Sequence, residues 1–279
     1  MISINTNYGG IFAAKASSQS QASVDSAMEK LSTGKRINFA KDDAAGQAIA
    51  TRLNAEIDGL AMASRNAADA QSMLDTAEGA LTETHTILLR MRELAVQSAN
   101  GTLTDNDRLH TDAEFQQLEA EITRISDNTK WAGQALIDGS LDGTTSGNTG
   151  ATFQIGEGAN QKITVSIAGM DAADLAFTAG HSLQTAAKSQ EAIALLDTAI
   201  ATVSTGRGKL GAVSNRLTST MNNLDQVNIN LSNSKGRIED ADFAAETGNL
   251  AKGQILQQAA TAMLAQANAS KQQVLTLIR

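Results

Sequence analysis

Apolar positions recur every seven residues over much of the chain. One row runs Leu196, Val203, Leu210, Leu217, Leu224, Leu231 and Ile238, with Ala199, Gly206, Val213, Thr220, Val227 and Ser234 as its companion row. A second row runs Leu53, Leu60, Ala67, Leu74, Leu81, Leu88 and Ala95. Sustained seven-residue spacing places one apolar seam along a helix face. A helix over 44–99 spans roughly 80 Å at ~1.5 Å per residue. Phe115, Leu118, Ile122 and Ile125 predict a further helix over 105–128. Thr104 and Asp107 stand at its start in capping-box spacing, and Asn100-Gly101 ends the helix before it. Near the C-terminus Leu256, Ala260, Met263, Ala267, Ser270, Val274 and Leu277 form a stripe of mostly small residues. Residues 1–31 carry a weaker helical pattern with Ile4, Ile11, Val24, Met28 and Leu31.

The middle differs. Residues 139–150 are rich in Gly, Ser and Thr, and Phe153 and Ile155 alternate with polar residues. After a glycine-rich turn at 156–161, Ile163, Val165 and Ile167 alternate again, so a β-hairpin is predicted. The expected fold is mainly α: a long antiparallel helical bundle or coiled coil with a small β-hairpin region, its terminal helices paired at one end. Two domains are expected. Residues 1–44 with 236–279 form a discontinuous terminal-helix domain. Residues 45–235 form a helical bundle that includes the hairpin and loop region 139–180.

Composition supports this reading. The 279 residues contain no proline, which otherwise interrupts helix interiors, and only 3% aromatics. The net charge of −8 argues against a general nucleic-acid partner, because neutralising phosphates takes a surplus of Lys and Arg. No run approaches the ~18 apolar residues of a membrane span. No charged start followed by an apolar stretch marks a secretory signal, so any export is expected to use another route. Cysteine is absent, which removes thiol nucleophiles and thiolate metal sites.

No motif for catalysis, metal or cofactor survives inspection. Gly206, Gly208 and Gly211 fit a dinucleotide-binding spacing, but the seam runs through them without a preceding strand. His85, His110 and His181 lack metal-ligand spacing. Asp105 and Asp107 read as helix-start acids. Stripes of Ala with few large side chains instead favour close helix approach, between copies of the chain above all. Apolar burial stabilises by roughly 25 cal/mol per Å², and ordering a residue costs about 1–2 kcal/mol. The terminal segments are therefore expected to gain order on assembly.

Long motifs at both ends resemble bacterial flagellin. They are ISINTN at 2–7, EKLSTGKRINFAKDDAAGQAIATR at 29–52, SRNAADA at 64–70, LRMRELAVQSANGTLTDNDR at 89–108, and the whole of 236–279. The resemblance covers roughly 1–140 and 180–279. The middle is a hairpin-sized insert where larger family members carry variable outer domains. The resemblance implies a structural subunit, exported by the flagellar type III apparatus, that self-assembles into the extracellular filament for swimming motility. It implies an inner tube of terminal helices, packed through Ile4, Ile11, Val24, Met28, Leu31, Leu256, Met263, Val274 and Leu277. Implied partners are further copies, the flagellar cap and hook-associated junction proteins, and an export chaperone at the C-terminal helix. A vertebrate flagellin-sensing Toll-like receptor joins them through Arg90, Leu94 and Glu114. Arg90 and Leu94 are spaced to share a helix face. The exterior loop offers Thr144, Thr145, Ser146 and Thr149 as candidate O-glycan acceptors. A junction protein, a coiled-coil signalling rod and a family member with a metalloprotease insert are the alternatives. The short middle and the missing H-E-x-x-H motif count against the last.

Overall fold

The computed structural model describes residues 6–143, 149–177 and 182–277, without the side chains of 274–277. Among the described residues five helices and two small hairpins follow one another: α1 (Tyr8–Thr33), α2 (Ala44–Ser98), α3 (Asp105–Asn128), β1 (Lys130–Trp131), β2 (Gln134–Ala135), β3 (Ala151–Gln154), β4 (Lys162–Val165), α4 (Ala186–Glu239) and α5 (Phe243–Leu277). The chain divides into two compact units, one of residues 1–57 with 229–279 and one of residues 58–228.

In the 58–228 unit the seven-residue rows become the core. Leu74, Leu81, Leu88, Leu196, Val203 and Leu217 are all buried. The companion row weakens along α4, since Val213 and Thr220 are half-buried and Val227 is exposed. Helices α2 and α4 run antiparallel. Arg92 pairs with Asp197 at 2.7 Å, Glu78 with Arg207 at 2.8 Å, and Gln71 donates to Ser214 at 2.7 Å. The segment Gly206–Gly211 is continuous helix within α4, as the seam requires. Helix α3 begins in the expected capping box. Thr104 Oγ1 accepts from Asp107 N, and Asp107 Oδ2 accepts from Thr104 N at 3.1 Å. Phe115 and Ile122 turn its apolar face onto the core.

Strands β3 and β4 pair antiparallel, with Phe153 opposite Ile163 and Ala151 opposite Val165. Ile163 and Val165 are buried, and Leu141 anchors the start of the Gly-rich loop at 1% exposure. The smaller hairpin β1–β2 escaped the sequence pattern. Its turn residues Ala132 and Gly133 both have positive φ, 49° and 87°, the backbone a two-residue hairpin demands. Ala at the first turn position, in place of Asn or Asp, hides that signal.

The other unit pairs α1 with α5, antiparallel. Gln21 hydrogen-bonds Gln257, Lys30 pairs with Glu246 at 3.2 Å, and Asn7 donates to Asn268 Oδ1 at 3.2 Å. Gly34 ends α1 in the left-handed conformation, φ 71°. Its carbonyl accepts from Ala241 N, and Arg36 N donates to Glu239 O at 2.6 Å. Lys35 clamps the Glu239 carboxylate at 2.5 Å.

Candidate assembly interface

The buried positions of the seam between α1 and α5 are mostly small residues. On α1, Gly10, Ala13, Ser20, Val24 and Ala27 are buried. On α5 the facing row is Glu246, Leu250, Gly253, Gln257, Ala260, Leu264 and Ala267, spaced alternately four and three. Of these, Gly253 and Ala260 are buried. A Cβ on Gly253 would lie 2.8 Å from Val24 Cγ2, so the helices approach closely here. The stripe expected from the sequence shares Ala260 and Ala267 with this row, while its large members fall to one side. Leu256 and Met263 are exposed, at 47% and 64%. With Ala and Gln all round α5, hydropathy contrast is too weak to choose a face, and the face that lets the backbones approach wins.

That choice leaves the large side chains outside. Tyr8, Ile11, Phe12 and Met28 of α1 are exposed, as are Phe243, Ile255, Leu256 and Met263 of α5. Phe12, Ala16, Leu256, Ala259 and Met263 line a largely apolar groove along the pair. Among the residues expected to pack between subunits, Val24 is buried within the pair and Leu31 is half-buried. Ile11, Met28, Leu256 and Met263 are uncovered. Ile4 and the side chains of Val274 and Leu277 lie outside the described residues.

The second expected site lies on α2 and α3. Arg90 contacts Glu114 at 2.9 Å and Glu93 at 3.1 Å. Hydrogen bonds donated to Glu114 first, then to Glu93, raise the guanidinium's pKa above its ordinary value. Leu94 lies on the inner side of the same helix. It is 2% exposed and belongs to the core, because the seam passes through Met91, Leu94 and Ala95. Sequence spacing joins Arg90 to Leu94, but the fold joins Arg90 to Glu114. Thr149 is exposed, whereas Thr144, Thr145 and Ser146 lie outside the described residues.

A buried polar cluster was not foreseen. Arg108, 7% exposed, donates to Ser98 O and Asn100 O, both at 2.9 Å, and so closes the C-terminal end of α2. Asp112, also 7% exposed, accepts from Leu183 N at 2.6 Å and from Gln184 at 3.1 Å. Arg and Asp on a helix face read as solvated residues, and no local signal marks partners 71 residues away. Among the described residues no group of three or more His, Cys, Asp or Glu could hold a metal ion. No described helix is long and apolar enough to cross a membrane.

Two family models match the chain. The bacterial flagellin N-terminal helical region matches residues 4–142, and the bacterial flagellin C-terminal helical region matches 193–278. A flagellin of Halalkalibacterium halodurans is 43% identical over 254 residues, covering 91% of each chain. A flagellin of Bacillus subtilis is 42% identical over 302 residues, covering 99% of each. For the fold alone, a putative flagellar hook-associated protein of Vibrio parahaemolyticus superposes with TM-score 0.59 at 18% identity, over 71% of this chain and 100% of that one. With matched regions at both ends and relatives above 40% identity over nearly the full length, the chain belongs to the bacterial flagellin family.

Proposed function

We infer that this chain is a structural subunit of a bacterial flagellar filament, lying outside the cell and serving swimming motility, with no catalytic role. One observation carries the reading: in a chain of this family, the paired terminal helices leave a row of large apolar side chains uncovered. Exposed apolar rows of this kind mark association surfaces. Further copies of the chain are the partner.

The segments 1–44 and 236–279 supply the tube-forming helices, and 45–235 supplies the bundle. Ile11, Met28, Leu256 and Met263 pack between subunits, with Ile4, Val274 and Leu277 joining them. Val24 and Leu31 support the pair from within. Export through the type III apparatus, a chaperone on the C-terminal helix, and contacts with cap and junction proteins belong to the same proposal. Receptor recognition uses the exposed Arg90–Glu114 pair, with Leu94 holding α2 in place beneath. Thr144, Thr145, Ser146 and Thr149 are the proposed O-glycan acceptors.

Negative-stain microscopy of purified protein, nucleated with sonicated filament fragments, tests the central claim. Long helical polymers are expected. A discrete dimer under the same conditions points to a signalling rod and ends this reading.

A further inference from the structure

Asn100–Gly101 is the one Asn–Gly dipeptide in the chain, and the fold places it in the connector between α2 and α3. Both residues are exposed. Gly101 has no side chain to crowd its own amide nitrogen, and the space where a Cβ would stand is open. Thr102 N donates to Asn100 Oδ1 at 3.3 Å. On the other side of the residue, Arg108 Nη2 at 2.9 Å and Leu103 N at 3.3 Å both donate to the main-chain oxygen of Asn100. Each carbonyl of this residue therefore faces a donor where negative charge would build up during attack on it.

We propose that Asn100–Gly101 is a self-modifying site that deamidates through a succinimide and opens mainly to isoaspartate. The Gly101 amide nitrogen gives its proton to water and bonds to Asn100 Cγ, while Thr102 N steadies the charge on Oδ1. The bond from Cγ to the side-chain nitrogen breaks, and that nitrogen takes up a proton and leaves as ammonia. Both reacting groups belong to one residue pair, so the attack is intramolecular. Water then adds to the main-chain carbonyl carbon of residue 100, where Arg108 and Leu103 N stabilise the oxyanion. The bond from that carbon to Gly101 N breaks, and the chain now runs through Cβ and Cγ. The balance is water in and ammonia out, with no oxidation or reduction. The new carboxylate forms on the carbon whose oxygen Arg108 already holds, so a guanidinium bond to a neutral carbonyl becomes an ion pair. Opening at Cγ, which gives ordinary aspartate, lacks this guanidinium.

The test incubates the full-length subunit at neutral pH, folded and in urea. Peptide mapping with electron-transfer fragmentation, and labelling by isoaspartyl methyltransferase, read the products. Asn100 is expected to convert faster than any other asparagine of the folded chain, with a higher isoaspartate share than in urea. Gly101→Ala slows conversion by roughly tenfold or more, because a side chain crowds the attacking nitrogen. Arg108→Gln lowers the isoaspartate share toward the unfolded value. Should that variant fail to fold, the comparison of the native chain with and without urea still decides. An Asn100 protected roughly tenfold by folding, or product ratios equal in both states, overturns the proposal.

Discussion

Gly253 gives the sharpest test of the α1–α5 seam. In Gly253→Ala the added Cβ stands 2.8 Å from Val24 Cγ2, well inside the ~3.5–4.0 Å of ordinary carbon contact. Val24 is β-branched and stiff at χ1, so it does not swing aside. Overpacking of this kind costs about 1–3 kcal/mol. Against it stands a gain of about 1 kcal/mol from replacing Gly by Ala inside a helix. The net is a loss of about 0–2 kcal/mol. Val24→Ala alone removes two methyl-sized groups from a site 6% exposed, worth about 1.5 kcal/mol at ~0.8 per carbon. In the double variant the clash vanishes and the propensity gain stays. Its loss is then about 0.5 kcal/mol, leaving a coupling of about 1–3 kcal/mol between the sites. Gly248→Ala is the control, since open space surrounds that position, and it stabilises by about 1 kcal/mol. Amide hydrogen exchange on peptides of α1 and α5 in the polymerised protein reads these local opening energies. Single effects that add within ~0.5 kcal/mol, or a Gly253→Ala gain equal to that of Gly248→Ala, would refute the close approach.

Four further outcomes follow from the same geometry. The Glu239 carboxylate is held below the usual range by its hydrogen bond to Lys35, with the charges of Lys35 and Lys235 adding to the effect. Its contribution is complete above the unfolded glutamate value of about 4.3 and is lost as pH falls through the folded value. Glu239→Gln therefore loosens the 34–36 and 239–241 junction at neutral pH and flattens the acid limb of a pH–stability profile; an unchanged acid limb excludes the clamp. Thr104→Ala removes half the capping box and costs about 0.5–2 kcal/mol, seen as faster exchange in the first turn of α3. Leu94→Ala costs about 2–5 kcal/mol in thermal unfolding, whereas Arg90→Ala stays within about 0.5 kcal/mol and lowers receptor signalling by monomer; equal signalling retires the epitope. Limited proteolysis trims both ends of the free subunit, leaving a core of about 45–240, and spares them in filaments; equally resistant ends contradict order gained on assembly.

Much of the fold is legible in the sequence because large apolar side chains repeat at a fixed period. Leu74, Leu81 and Leu88, or Leu196, Val203 and Leu210, admit one inward face, and burying them decides the helix and its rotation together. The capping box at Thr104 is legible for a different reason: its partners are three residues apart, so local chemistry completes it. The β3–β4 hairpin follows from two-residue alternation on either side of a turn. Tertiary structure decided what local contrast could not. On α5 Ala and Gln are spread over every face, and only the close approach of α1 brought Gly253 into the seam beside Ala260, leaving Leu256 and Met263 outside. Arg90 and Leu94 stand only about 40° apart around α2, but the edge of the buried stripe falls between them, so Leu94 joins the core and Arg90 pairs with Glu114 at the rim. Arg108 and Asp112 are ordinary surface residues by type. They are buried because carbonyls at the end of α2 and the amide of Leu183 arrive as their partners, and a charge leaves water only where such partners are already in place.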